Sequence, residues 1–166
     1  MAFVTVFLKT LGILVGALTF IIFLNLIFYF NEEKNNNFSF IEGDEQSKNV
    51  IAVLNLNGPI INNFNNTLVG NVIEYIDPKI VENYLIDLKE LKPKILIIKL
   101  NSPGGTVTAS SYLERIINNF KKKNKNVDIY FYSSELLASG GYWVATTGDK
   151  IYASYGSIIG SIGVSG

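Results

Sequence analysis

The sequence predicts an α/β domain with mostly parallel strands, carried behind one N-terminal transmembrane helix. Three observations predict it: β-prone apolar runs alternate with amphipathic stretches after residue 50, glycine turns stand at strand ends, and residues 10–30 are apolar without a charge. Alternating β and α units imply right-handed crossovers with helices packed against the sheet. A length of 166 residues suits one ordinary domain plus an attached segment.

From Thr10 to Phe30 the polar interruptions are Thr10, Thr19 and Asn25. At about 1.5 Å per residue this stretch covers about 30 Å, the hydrocarbon thickness of a bilayer, and Phe28, Tyr29 and Phe30 suit the interface. A cleaved signal peptide expects a shorter apolar region and a small-residue cleavage site, whereas this chain continues Phe-Tyr-Phe-Asn-Glu-Glu. A core helix is seldom apolar all round for so long. Lys9 precedes the span while Glu32 and Glu33 follow it, which sets the N-terminus in the cytoplasm and the body in the periplasm or outside the cell. The expected organisation is a single-pass anchor over 1–31 in the inner (cytoplasmic) membrane, a polar Asn-rich linker over 32–49 and a body over 50–166.

Within the body, Val50–Leu56 reads as a strand stopped by the turn Asn57-Gly58-Pro59. The Asn-rich stretch 62–71 reads as a loop, and Asp77-Pro78 as a helix cap with proline at the first helical position. The helix that follows runs to Leu91 and keeps Ile80, Val81, Tyr84, Leu85, Leu88 and Leu91 on one face. Next come a strand over Ile95–Leu100, the turn Asn101-Ser102-Pro103-Gly104-Gly105 and an amphipathic helix over Thr106–Phe120. Lys121, Lys122, Lys123 and Lys125 complement the dipole at its C-terminal end rather than forming a nucleic-acid patch. A strand over Val127–Tyr132 leads through Ser133-Ser134 to a short helix opening near Ser139. A strand over Ile151–Ala153 then precedes a glycine-punctuated apolar segment, 156–166.

Composition narrows the chemistry. Fourteen Lys+Arg balance fourteen Asp+Glu, so no field of one sign favours nucleic acid. The absence of Cys and His removes thiol nucleophiles, imidazole bases and the usual zinc ligands, and no cofactor or metal motif appears. Catalysis would have to use hydroxyl, amine or carboxylate groups.

Two turns are candidates for that chemistry. Ala138-Ser139-Gly140-Gly141 places a hydroxyl before a helix, where Gly140 lets the main chain approach a bound carbonyl. Read alone, it is more often a plain turn with a capping serine. Asn101–Gly105 offers glycine N–H groups after a strand, and read alone it is a stiffened strand-to-helix connection. Together, one turn can supply a nucleophile and the other the donors for a tetrahedral intermediate, as acyl transfer requires.

NSPGG at 101–105, ASGGYW at 138–143 and GSIIGSIGV at 156–164 resemble, in order and spacing, the three signature segments of the signal peptide peptidase A family. The resemblance runs from Val50 to Gly166. It implies a Clp-protease/crotonase-like spiral of β-α units and a membrane-anchored Ser-Lys endopeptidase that cuts hydrophobic peptides such as remnant signal peptides. It also implies Ser139 as nucleophile, oxyanion N–H groups from Gly104, Gly105 and Gly140, Ser161 as the hydroxyl that orients the lysine base, and a homo-oligomer at full length. The family's lysine falls downstream of Gly166, so the chain reads as an N-terminal fragment without its base. Lys150, in an exposed turn, is a poor substitute, and Lys99 is read as structural. The alternatives are a non-catalytic anchored scaffold of the same fold and an acyl-CoA enzyme of the crotonase type, against which the anchor and Ser-Gly-Gly argue.

Overall fold

A computed structural model describes residues 2–30, 38–62 and 74–163, divided between two compact units, Met1–Asn36 and Asn37–Gly166. The loop expected over 62–71 and the linker residues 31–37 lie outside the described residues, apart from Asn62.

The first unit is the helix α1 (Ala2–Phe30). Its segment Phe3–Leu26 is long and apolar enough to cross a membrane. The helix thus begins eight residues before the expected span, because Phe3, Val4, Val6, Phe7 and Leu8 extend the apolar run across Lys9.

The second unit is built on four parallel strands, β1 (Ile51–Asn57), β2 (Ile95–Asn101), β3 (Asp128–Ser133) and β5 (Lys150–Ala153), in the order β1-β2-β3-β5. The crossovers are α2 (Pro78–Leu91) between β1 and β2 and α3 (Val107–Lys123) between β2 and β3. Alternation along the strands turns Leu54, Leu56, Leu96, Ile98, Leu100, Ile129 and Phe131 into one core with Val81, Leu85 and Leu88 of α2 and Leu113, Ile117 and Phe120 of α3. Each such aliphatic or aromatic side chain contributes about 1.5–3 kcal/mol relative to exposure. This is the α/β architecture with mostly parallel strands that the sequence predicts.

Local chemistry sets the helix ends. Asp77 accepts a hydrogen bond from Lys79 N at 2.8 Å with Pro78 in the first helical position, as expected. Thr106 caps α3 by accepting from Ala109 N at 3.2 Å. Ile80 is a correction: it is exposed on α2, while its neighbour Val81 takes the buried position of the first turn, in line with Leu85 and Leu88. Phe38 packs against the core of this unit.

Two short strands were not apparent in the sequence. β4 (Leu136–Ala138) and β6 (Ile158–Gly160) pair in parallel as a second sheet, with Ala138 opposite Gly160. They flank α4 (Gly140–Ala145) and β5 in chain order. Three residues carry too little periodicity to be told from a turn.

Candidate active site

The site forms where the second sheet meets the end of β2. Ser102, just past β2, receives β4 as a bridge: Ser102 N donates to Leu136 O at 2.7 Å and Ala138 N donates to Ser102 O at 3.0 Å. The chain enters this bridge through a turn held by Asn101. Asn101 Oδ1 accepts from Ser133 Oγ and Ser134 N, both at 3.0 Å, and from Glu135 N at 3.1 Å, while Nδ2 donates to Ser134 Oγ at 3.1 Å. One side chain thereby ties β2 to the β3–β4 connection.

β4 ends at Ser139, which is exposed and adopts φ 51°, ψ −124°. A non-glycine residue in that region carries about 1–3 kcal/mol of strain. The backbone is pinned on both sides: Ser139 N donates to Gly160 O at 2.9 Å and Ser139 O accepts from Trp143 N at 3.0 Å. Its side chain makes no capping hydrogen bond to α4. The capping-serine reading therefore fails, and the hydroxyl stands at the surface on a sharp strand-to-helix turn.

The two glycine turns meet. Gly104 has φ 94°, and a β-carbon built there would come within 2.8 Å of both Gly140 N and Ser139 Cβ. Only a residue without a side chain allows this approach. Gly105 is wedged against the backbone of Ile60, flanked by the bonds from Ile60 N to Gly104 O (2.9 Å) and from Thr106 N to Ile60 O (3.1 Å). Gly104 N already donates to Ser102 Oγ at 3.1 Å. Of the three expected donors, Gly104 is therefore occupied internally, while the N–H groups of Gly105 and Gly140 meet no acceptor among the described residues. An exposed hydroxyl beside two free main-chain donors is an arrangement suited to attack on a carbonyl and to holding the resulting oxyanion.

Ser161 follows directly on Gly160, whose carbonyl accepts from Ser139, and is exposed with φ 52°. Lys99 is exposed on β2 opposite Asn55 and Tyr132. Lys150 opens β5, its Nζ 5.6 Å from the centroid of the Tyr130 ring. Among the described residues neither lysine hydrogen-bonds a site residue. Sequence reading missed Ser102, whose hydroxyl shapes the glycine turn, and Ser110, a hydroxyl on the buried stripe of α3. The signal for Ser110 was present, since it falls on the same face as Leu113 and Ile117.

Residues 119–166 match Peptidase family S49. The sequence is 34% identical over 118 residues to Protease 4 of Haemophilus influenzae, covering 70% of this chain and 18% of that protein. Over residues 119–166 the chain is similar to peptidase family S49. A second relative, named as a signal peptide peptidase SppA in Enterococcus faecium, is 33% identical over 87 residues, covering 50% of this chain and 25% of that protein. The chain thus spans a quarter or less of the length of these two curated relatives. The fold resembles that of a mutant of the membrane-bound stomatin-specific protease 1510-N in complex with a substrate peptide, with a TM-score of 0.53 and 21% identity over 70% of this chain and 46% of that one. The two relatives described here are named as a protease and a signal peptide peptidase, and the α/β fold with parallel strands expected from the sequence is shared with the stomatin-specific protease.

Proposed function

We propose that this chain carries the nucleophile and oxyanion site of a membrane-anchored serine endopeptidase of the signal peptide peptidase A type. The observation that carries the reading is the exposed Ser139 hydroxyl, on a strained turn, beside the free N–H groups of Gly105 and Gly140.

Ser139 Oγ attacks the scissile carbonyl while its proton passes to a lysine amine. By family resemblance the base is a lysine, its pKa lowered by burial, placed beyond Gly166. The oxyanion takes hydrogen bonds from Gly105 and Gly140, and Gly104 shapes the turn that lets them converge. Collapse breaks the C–N bond, the ammonium returns its proton to the leaving amine, and water hydrolyses the acyl-enzyme by the same base. Ser161, one residue past the partner of Ser139, orients that lysine. Substrates are extended hydrophobic peptides such as remnant signal peptides. The anchor over 10–30 and the linker over 32–49 set the body at the outer face of the cytoplasmic membrane, with the N-terminus inside, and the full-length protein is a homo-oligomer.

The decisive experiment uses the complete gene product. Ser139→Ala is expected to lower hydrolysis of a hydrophobic reporter peptide by at least about 10³-fold, and a fluorophosphonate is expected to label Ser139. Full activity after this substitution would refute the assignment. A second reading, an anchored scaffold of the same fold, is favoured by one observation: neither Lys99 nor Lys150 is engaged at the site. A lysine-free continuation of the reading frame after Gly166 would decide for it.

A further inference from the structure

Ser110 lies in the first turns of α3, 1% exposed, and its Oγ is the one buried side-chain polar atom without a hydrogen-bond partner among the described residues. A serine in a helix commonly returns its hydroxyl to the carbonyl four residues back. Here Thr106 O accepts the Ser110 N–H at 2.9 Å, and the hydroxyl does not join it. The side chain points instead at the α4 turn: a β-carbon built on Gly140 would overlap Ser110 Oγ and Cβ, and the same point lies 3.5 Å from Gly105 N. Ser110 therefore fills the volume that glycine leaves at 140, beneath the two residues that own the free N–H groups.

Packing alone does not account for a hydroxyl there. An unpartnered buried hydroxyl is costly, and alanine would keep the close approach of α3 to α4 without leaving a polar group dry. What the hydroxyl adds is a dipole in a buried position next to the free N–H pair, where electrostatic interactions are stronger than in water. We propose that Ser110 is a positioning residue of the oxyanion site, its hydroxyl bracing the Gly140 turn and so fixing the Gly105 and Gly140 N–H pair for the transition state. This rests on the peptidase reading above. Ser110 does not touch substrate and acts only through the two amides.

The test measures steady-state hydrolysis of a hydrophobic reporter peptide, fluorophosphonate labelling of Ser139 and thermal melting on the complete gene product, for wild type, Ser110→Ala and Ser110→Cys. Ser110→Ala is expected to lower kcat about tenfold with KM unchanged, to slow labelling of Ser139 in parallel, and to leave the melting temperature unchanged or raised. Ser110→Cys, which restores a weak donor and acceptor, recovers part of kcat. An unchanged kcat in Ser110→Ala, or a loss of kcat that tracks a fall in melting temperature in both variants, overturns the proposal. If wild type is neither labelled at Ser139 nor silenced by Ser139→Ala, the peptidase reading itself fails, and the proposal with it.

Discussion

At the scale of single residues, the site depends on what glycine permits. Gly104 combines φ 94° with a β-carbon position 2.8 Å from Gly140 N and Ser139 Cβ. Gly104→Ala is expected to destabilise the fold by about 1–3 kcal/mol, from backbone strain and the displaced Ser139 turn, and to abolish peptide hydrolysis. Urea unfolding and kcat measured on the same preparation check both outcomes. The hydroxyl and its glycine turns were legible in the sequence because NSPGG and ASGGYW are contiguous and chemically unusual. The division of labour among their N–H groups was not. Gly104 and Gly105 are adjacent and identical in sequence, and only the bond from Gly104 N to Ser102 Oγ distinguishes the occupied donor from the free one.

At the scale of elements, two polar side chains hold strands that propensity alone would not. Asn101 gathers Ser133, Ser134 and Glu135 onto β2 and so sets the angle at which β4 leaves for Ser139. Asn101→Ala removes the acceptor of the partly buried Ser133 Oγ and of the exposed Ser134 and Glu135 N–H groups, and a loss of about 1–3 kcal/mol is expected in urea unfolding, with a fall in kcat. Asp149 performs a similar task at the opposite end of β3. Its Oδ2 accepts from Ile129 N at 2.9 Å and its Oδ1 pairs with Lys121 at 2.6 Å, which joins the start of β5 to β3 and to the end of α3. The Ile129 amide first, then Lys121, hold its carboxyl below the usual aspartate value. Because the folded pKa is depressed, the stabilisation is present above the ordinary aspartate pKa and is lost as pH falls through the lower folded value. Stability is therefore expected to decline on acidification through that window, and Asp149→Asn to flatten the decline. Urea midpoints measured across the acid range check this. The long strands and helices were legible because their periods are sustained, as Leu96, Ile98 and Leu100 alternate and Val81, Leu85 and Leu88 repeat. β4 and β6 were not legible, since each is fixed by partners distant in sequence, Leu136 by Ser102 and Ile158 by Glu135.

At the scale of the whole molecule, a helical unit and an α/β unit are each compact on their own. Deleting residues 1–36 is expected to move the protein from the membrane pellet to the soluble fraction, with the far-UV spectrum and melting of the α/β body retained. A body that remains in the pellet after carbonate washing would argue against residues 10–30 as the anchor. The strained geometry of Ser139 carries a further consequence for anyone who improves this protein in the laboratory. Glycine reaches φ 51°, ψ −124° without a β-carbon penalty. On the proposed function, Ser139→Gly should therefore yield a sturdier but inert molecule, and selection for heat resistance alone would steer a library toward losing the proposed nucleophile.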